Sequence, residues 1–187
     1  MSYRARWDAM ANPKSVKEYQ APDEAVAVGD LMWYDRRGLT GVAGGVARPF
    51  SSTSAWTGSA DGTRARVAEA FLGVAMSAHD PNNPGRTEGN GIRIAGAGVF
   101  GYPCDTPYTF DIGDLIVPVK DPSGNKLYAQ VVAKGALGAD PQDFAGLSRE
   151  VAIGKAHRRY AAVSGVVEFQ INGIHESGAG PRQFLTS

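Results

Sequence analysis

From Ala25 onward the chain alternates short apolar runs with glycine, proline and aspartate steps. Ala25-Val26-Ala27-Val28 and Leu31-Met32-Trp33-Tyr34 flank a Gly29-Asp30 step. Phe71-Leu72-Gly73-Val74-Ala75 is a compact apolar run, and Ile92-Arg93-Ile94 alternates ahead of Val99-Phe100. Leu115 to Val119 runs into the polar turn Asp121-Pro122-Ser123-Gly124-Asn125, and Lys126 to Val132 returns from it. That pair predicts the clearest hairpin in the chain. Val151-Ala152-Ile153-Gly154 and Val166 to Ile171 complete the set. Pro118 carries no backbone donor, which predicts an edge strand or a bulge there. Helix is scarce: Asp61–Ala70 predicts a short helical turn, and Asp140-Pro141 opens a brief helix to Leu147. Many short strands with Gly/Pro turns predict an all-β fold, a small β-barrel or a β-sandwich.

The two halves share an order of signals. Val28-Gly29-Asp30-Leu31, Phe71 to Ala75, and Ile92-Arg93-Ile94 through Val99-Phe100 fill the first. Ile112-Gly113-Asp114-Leu115, Ala152-Ile153-Gly154-Lys155-Ala156 and Val166 to Ile171 fill the second. Two matched β-modules, 25–105 and 106–175, explain this order, as does coincidence among short Gly-apolar words. Two long copies do not make a solenoid.

Residues 1–24 differ. They show no sustained helical or strand period, and their apolar anchors Tyr3, Trp7, Met10, Val16 and Tyr19 stand singly. The alternatives are a frayed terminus or an extended arm that docks on a partner. Tyr3, Arg4, Arg6, Trp7 and Tyr19 favour the arm, because aromatic and arginine side chains are enriched at contact centres.

Composition narrows the function. The 187 residues are 43% hydrophobic, enough for a core, and suit one domain or two small ones. Nineteen basic and nineteen acidic side chains cancel, so no basic excess drives a nucleic-acid coat. No apolar run reaches the roughly 18 residues of a membrane span. The charged first twenty residues lack a signal-peptide core, which predicts a protein made in a cytoplasm and not exported by a cleaved signal. The single cysteine, Cys104, allows neither an internal disulfide nor a one-chain zinc–thiolate cluster.

Chemical motifs fare poorly. Gly96-Ala97-Gly98-Val99-Phe100-Gly101 fits GxGxxG, but Pro103 and Pro107 preclude the helix that a pyrophosphate needs. Ser123-Gly124-Asn125-Lys126 fits SxxK in a hairpin turn, where serine and lysine do not meet as they do on a helix. His79, His157 and His175 have no ligand-type partner at helical spacing. Lys155, His157, Arg158 and Arg159 form the densest basic run, which reads as a solvated strand end or salt-bridged interface ahead of a phosphate site. These readings predict no enzyme, no cofactor, no metal and no catalytic residue.

Val28-Gly29-Asp30-Leu31, Ala70 to Ala75, Val151-Ala152-Ile153-Gly154-Lys155-Ala156 and the closing Gly165 to Asn172 resemble the capsid decoration (cement, or head auxiliary) proteins of tailed bacteriophages. The resemblance runs from Ala25 to Gly173, with an N-terminal arm before it. It departs from the shortest members in length and in an insertion-like segment from Arg48 to Thr63. It implies an all-β body on the outside of an icosahedral shell, commonly a trimer at three-fold positions, clamping neighbouring subunits after the shell expands.

Sequence and resemblance together predict an extended arm, 1–24, and a β-rich decoration body, 25–187. The expected partners are the major capsid protein, copies of itself as a homotrimer, and neighbouring decoration subunits, with no nucleic acid and no membrane. The expected location is the outer capsid surface of the virion, after assembly in the host cytoplasm. The alternative is a carbohydrate- or host-surface-binding β module of a tail or fibre, with Trp7, Trp33 and Trp56 as a stacking platform. Trp33, within an alternating strand, is equally explained by core packing.

Overall fold

The computed structural model describes residues 16–38, 44–50, 70–83, 91–103, 110–120, 127–131, 152–160 and 166–172. They form ten strands in two five-stranded antiparallel sheets, a sandwich-like all-β fold in which Ala70 alone is helical among the described residues. The first sheet contains β1 (Val16–Gln20), β2 (Leu31–Asp35), β3 (Val46–Pro49), β4 (Phe71–Ala75) and β5 (Gly91–Ala95), in the order β1-β5-β4-β2-β3. The second contains β6 (Ala97–Pro103), β7 (Leu115–Lys120), β8 (Leu127–Val131), β9 (Gly154–Ala156) and β10 (Val166–Asn172), in the order β6-β10-β9-β7-β8. Advancing every strand of the first sheet by five gives the second. In each sheet the two edges, β1 and β3 or β6 and β8, also approach one another.

The register extends this equivalence to single residues. Met32 pairs with Gly73 as Ile116 pairs with Gly154. Ala75 pairs with Ile94 as Ala156 pairs with Phe169. Tyr19 pairs with Ile92 as Tyr102 pairs with Val167. Isolated bridges Val26–His79 and Phe110–Tyr160 flank the two sheets in the same way.

Alternation places the core. Ile92 and Ile94 are buried around exposed Arg93, and they join Val26, Met32, Ala47, Leu72 and Ala75 in a cluster covered by Tyr19 and Tyr34. The neighbouring position on β2 points to the opposite face. There Trp33 lies 6.5 Å from Phe50, and Phe50 lies 6.1 Å from Phe71, ring centre to ring centre. Central strands buried on both faces explain why Leu31-Met32-Trp33 and Phe71 to Ala75 read as continuous apolar runs. In the second sheet Phe100, Tyr102, Phe169 and Ile171 are buried, with Tyr102 and Phe169 5.3 Å apart. Fully burying one such phenylalanine contributes about 1.5–3 kcal/mol.

Several expectations are corrected. Val16–Gln20 is a strand paired along its whole length with β5, so these residues belong to the sheet and not to an arm over 1–24; residues 1–15 lie outside the described residues. The strand escaped notice because its pattern is half-exposed, with Lys17 and Glu18 in its middle. Val99-Phe100 does not close the first half: it lies in β6, and the two sheets divide at Gly96 rather than near residue 105. Arg48 does not open an insertion, because it lies in β3 and the following Phe50 is fully buried. The expected hairpin is present as β7 and β8, with Pro118 opposite Ala129. β7 lies inside the sheet, but β9 reaches only Leu115 and Ile116, so Pro118 lies beyond the pairing on that side. The rest of the segment 61–70 and the segment 140–147 lie outside the described residues.

Candidate interaction surface

The strands β2 and β7 are each entered through a tight turn ending in Gly-Asp. In the first, the Asp30 amide donates to the Ala27 carbonyl (3.1 Å), and the Ala27 amide donates to Asp30 Oδ2 (2.8 Å). In the second, the Asp114 amide donates to the Asp111 carbonyl (3.1 Å), and the Asp111 amide donates to Asp114 Oδ2 (2.8 Å). Gly29 and Gly113 hold positive φ, 98° and 90°, the conformation that the third position of such a turn demands of glycine. Each turn is fastened to the last residue of a strand. The Gly29 amide donates to Ala75 and the Ala75 amide to Asp30; Gly113, Ala156 and Asp114 repeat the pattern. The side chains at the second position, Val28 and Ile112, stand in solvent at 50% and 74% exposure.

A network of charges ties the chain before β2 to the first sheet. Asp35 is buried, and its carboxylate accepts hydrogen bonds from Arg37 Nε (3.0 Å) and Arg48 Nε (3.1 Å). Arg48 Nη1 reaches back to Asp23 (2.6 Å) and Glu24 (3.1 Å). Burial pushes the Asp35 carboxyl up, but the hydrogen bonds from Arg37 and the charges of Arg37 and Arg48 outweigh it, holding the group below its usual range. The hydrogen bond from Arg48 holds Asp23 low as well. Register places Val119 and Gln130 where Asp35 and Arg48 would recur, so the second sheet lacks this pair. Sequence reasoning missed the network, whose one signal was a charged residue closing each of two apolar runs.

Of the expected contact residues, Tyr3, Arg4, Arg6 and Trp7 lie outside the described residues. Tyr19 lies in β1, 6.3 Å from the Tyr34 ring and against the core cluster. Burial, then the neighbouring Tyr34, raises its phenol pKa. Its register partner in the second half is Tyr102, so packing accounts for it. The GxGxxG match falls on Gly96 and within β6, whose backbone pairs with β10. Trp33 is buried. Ser123–Lys126, Cys104, His175, Trp56 and the rest of the proline-rich stretch after β6 lie outside the described residues.

His79 Nε2 lies 2.9 Å from the Pro22 carbonyl, which fixes the proton on that nitrogen because a carbonyl only accepts. The basic run after β9 is exposed and paired: Arg158 with Glu168 at 2.7 Å and Arg159 with Asp111 at 2.6 Å. Among the described residues no group of three or more His, Cys, Asp or Glu is placed to hold a metal ion, and no helix is long and apolar enough to cross a membrane. The arrangement offers shape, exposed turn tips and internally matched charge. No family model matches the chain, and no curated protein matches it either.

Proposed function

We propose that the chain is a structural decoration protein of a tailed-phage head, binding the outer surface of the shell as a trimer and strengthening contacts between major capsid subunits. The observation that carries this reading is that the segments resembling such proteins form the repeated frame itself. Val28 to Leu31 makes the first turn and enters β2, Phe71 to Ala75 is β4, Gly154 to Ala156 is β9, and Val166 to Asn172 is β10. The close charged side chains around Asp35, Glu168 and Asp111 are engaged with one another, as suits a scaffold. The arm is part of the same reading, with Tyr3, Arg4, Arg6 and Trp7 as its contact residues.

A ligand that binds the assembled shell and not free subunits shifts assembly by mass action. Three linked contacts per trimer add avidity without new chemistry. The test is a heat-release curve for bare and decorated heads, scored by dye access to the genome. Decorated heads release at higher temperature, and Trp7→Ala loses part of that gain. Coincident curves at saturating decoration refute the cementing role. A monomer at all working concentrations refutes the trimer.

A further inference from the structure

We infer that the two turn tips, Val28 and Ile112, are paired contact points that seat in two copies of one apolar socket, presented by neighbouring identical protein subunits. This rests on the decoration reading and names its contact and the repeat character of its partner.

The argument begins with what the turns do not require. Position two of an Asp-closed turn with glycine at position three accepts most residues, and in water a polar side chain suits it. Val28 and Ile112 are large hydrophobic side chains standing exposed, at 50% and 74%. One exposed aliphatic side chain needs no explanation. Two at equivalent positions of a repeat, on turns with matching hydrogen bonds, call for one.

At several other positions the halves have drifted apart. Register equates Lys17 with Phe100, Arg93 with Glu168, Asp35 with Val119 and Arg48 with Gln130. Charge and size change at each of these positions. At the tips the side chain remains a branched aliphatic on a turn of unchanged geometry. Within the chain neither tip is buried, so core packing does not hold this choice. A partner that offers the same small apolar socket twice does. A homo-oligomeric surface is such a partner, since its neighbouring subunits repeat one surface by symmetry. Engaging two sockets makes the second contact intramolecular, which multiplies affinity by on the order of 100-fold or more.

The experiment uses the full-length protein and shells of the same virus's major capsid protein assembled without it. Binding is read by co-sedimentation, and folding by circular dichroism and thermal melting. Val28→Asp and Ile112→Asp should each weaken binding by on the order of 100-fold, and together abolish it, at an unchanged melting temperature. Val28→Thr and Ile112→Thr keep the β-branch and replace one alkyl arm, a methyl or an ethyl, by a hydroxyl; they should weaken binding in the same order even if aspartate disturbs the turn. A photo-crosslinking residue placed at position 28 or at position 112 should join the same peptide of the shell subunit. Wild-type-like binding by the double threonine variant, or crosslinks from the two positions to different peptides, overturns the inference and leaves the decoration role standing. Failure of the unaltered protein to sediment with shells overturns both.

Discussion

The carbonyl oxygen of Ala95 occupies the space where a side chain on Gly73 would begin. An added Cβ there would lie far inside van der Waals contact, and Gly73 also holds φ at 146°, which L side chains rarely adopt. The second half repeats the relationship: a Cβ on Gly154 would collide with the carbonyl oxygen of Gln170. Register equates Gly73 with Gly154 and Ala95 with Gln170, so both sheets close around a glycine at the same point.

Gly73→Ala and Gly154→Ala should therefore each destabilise the protein by about 2–4 kcal/mol, through forced displacement of the facing carbonyl at both positions and, at Gly73 alone, backbone strain as well. Urea unfolding monitored by tryptophan fluorescence measures this. A Gly154→Ala protein as stable as wild type would break the equivalence at its tightest point.

The charge network gives a second prediction. Without Asp35, Arg48 keeps Asp23 and Glu24 but loses its most buried partner, so Asp35→Ala should cost about 1–3 kcal/mol. The second sheet shows an alternative, with Val119 and Gln130 at the matching positions. The double variant Asp35→Val with Arg48→Gln should lose less stability than its single changes predict when added, with a coupling of about 1–3 kcal/mol. Additive losses in denaturant titrations would show that the two side chains do not act as a unit.

Acid should expose the same network. The carboxyls of Asp35 and Asp23 are held below their usual range, so the folded chain binds fewer protons than the unfolded chain in acid. Their stabilisation is complete above the unfolded value near 4, and it fades as pH falls through that value towards the lower folded ones. Unfolding free energy should drop from about pH 5 downward, and Asp35→Asn should make the fall shallower. An equally steep curve for the variant would assign acid sensitivity to other carboxyls.

The strands with strong apolar signals were legible in sequence. Phe71 to Ala75, Leu31 to Tyr34 and the hairpin around Pro118 stand where their patterns put them, with β9 starting three residues later and ending two later than Val151 to Gly154 suggested. β1 and β3 were not legible. Val-Lys-Glu-Tyr-Gln carries two charges at its centre, and Val-Ala-Arg-Pro is four residues long. Pairing with a neighbour, not local pattern, makes each a strand. The repeat was legible as Gly-Asp turns and anchoring glycines, but its boundary was not, because β5 and β6 are separated by Gly96 alone. Tyr19 looked like an unsatisfied arm residue for the same reason: only the sheet register reveals it as the counterpart of buried Tyr102.

Tyr102 supplies the last prediction. Its hydroxyl donates to the Gly29 carbonyl, linking β6 of the second sheet to the turn that enters β2 of the first. Burial, then the negative charge of Asp30, raises its pKa well above the usual tyrosine value. The folded chain thus keeps a proton that the unfolded chain releases above about pH 10. The resulting stabilisation is whole below that pH and is lost as pH rises towards the folded value. Ultraviolet titration should show a phenolate step that appears only as the protein unfolds in alkali. Tyr102→Phe should remove that step and cost about 1 kcal/mol at neutral pH, because the part-buried Gly29 carbonyl loses its donor. If the step persists in full and neutral stability is unchanged, Tyr102 does not couple the two halves.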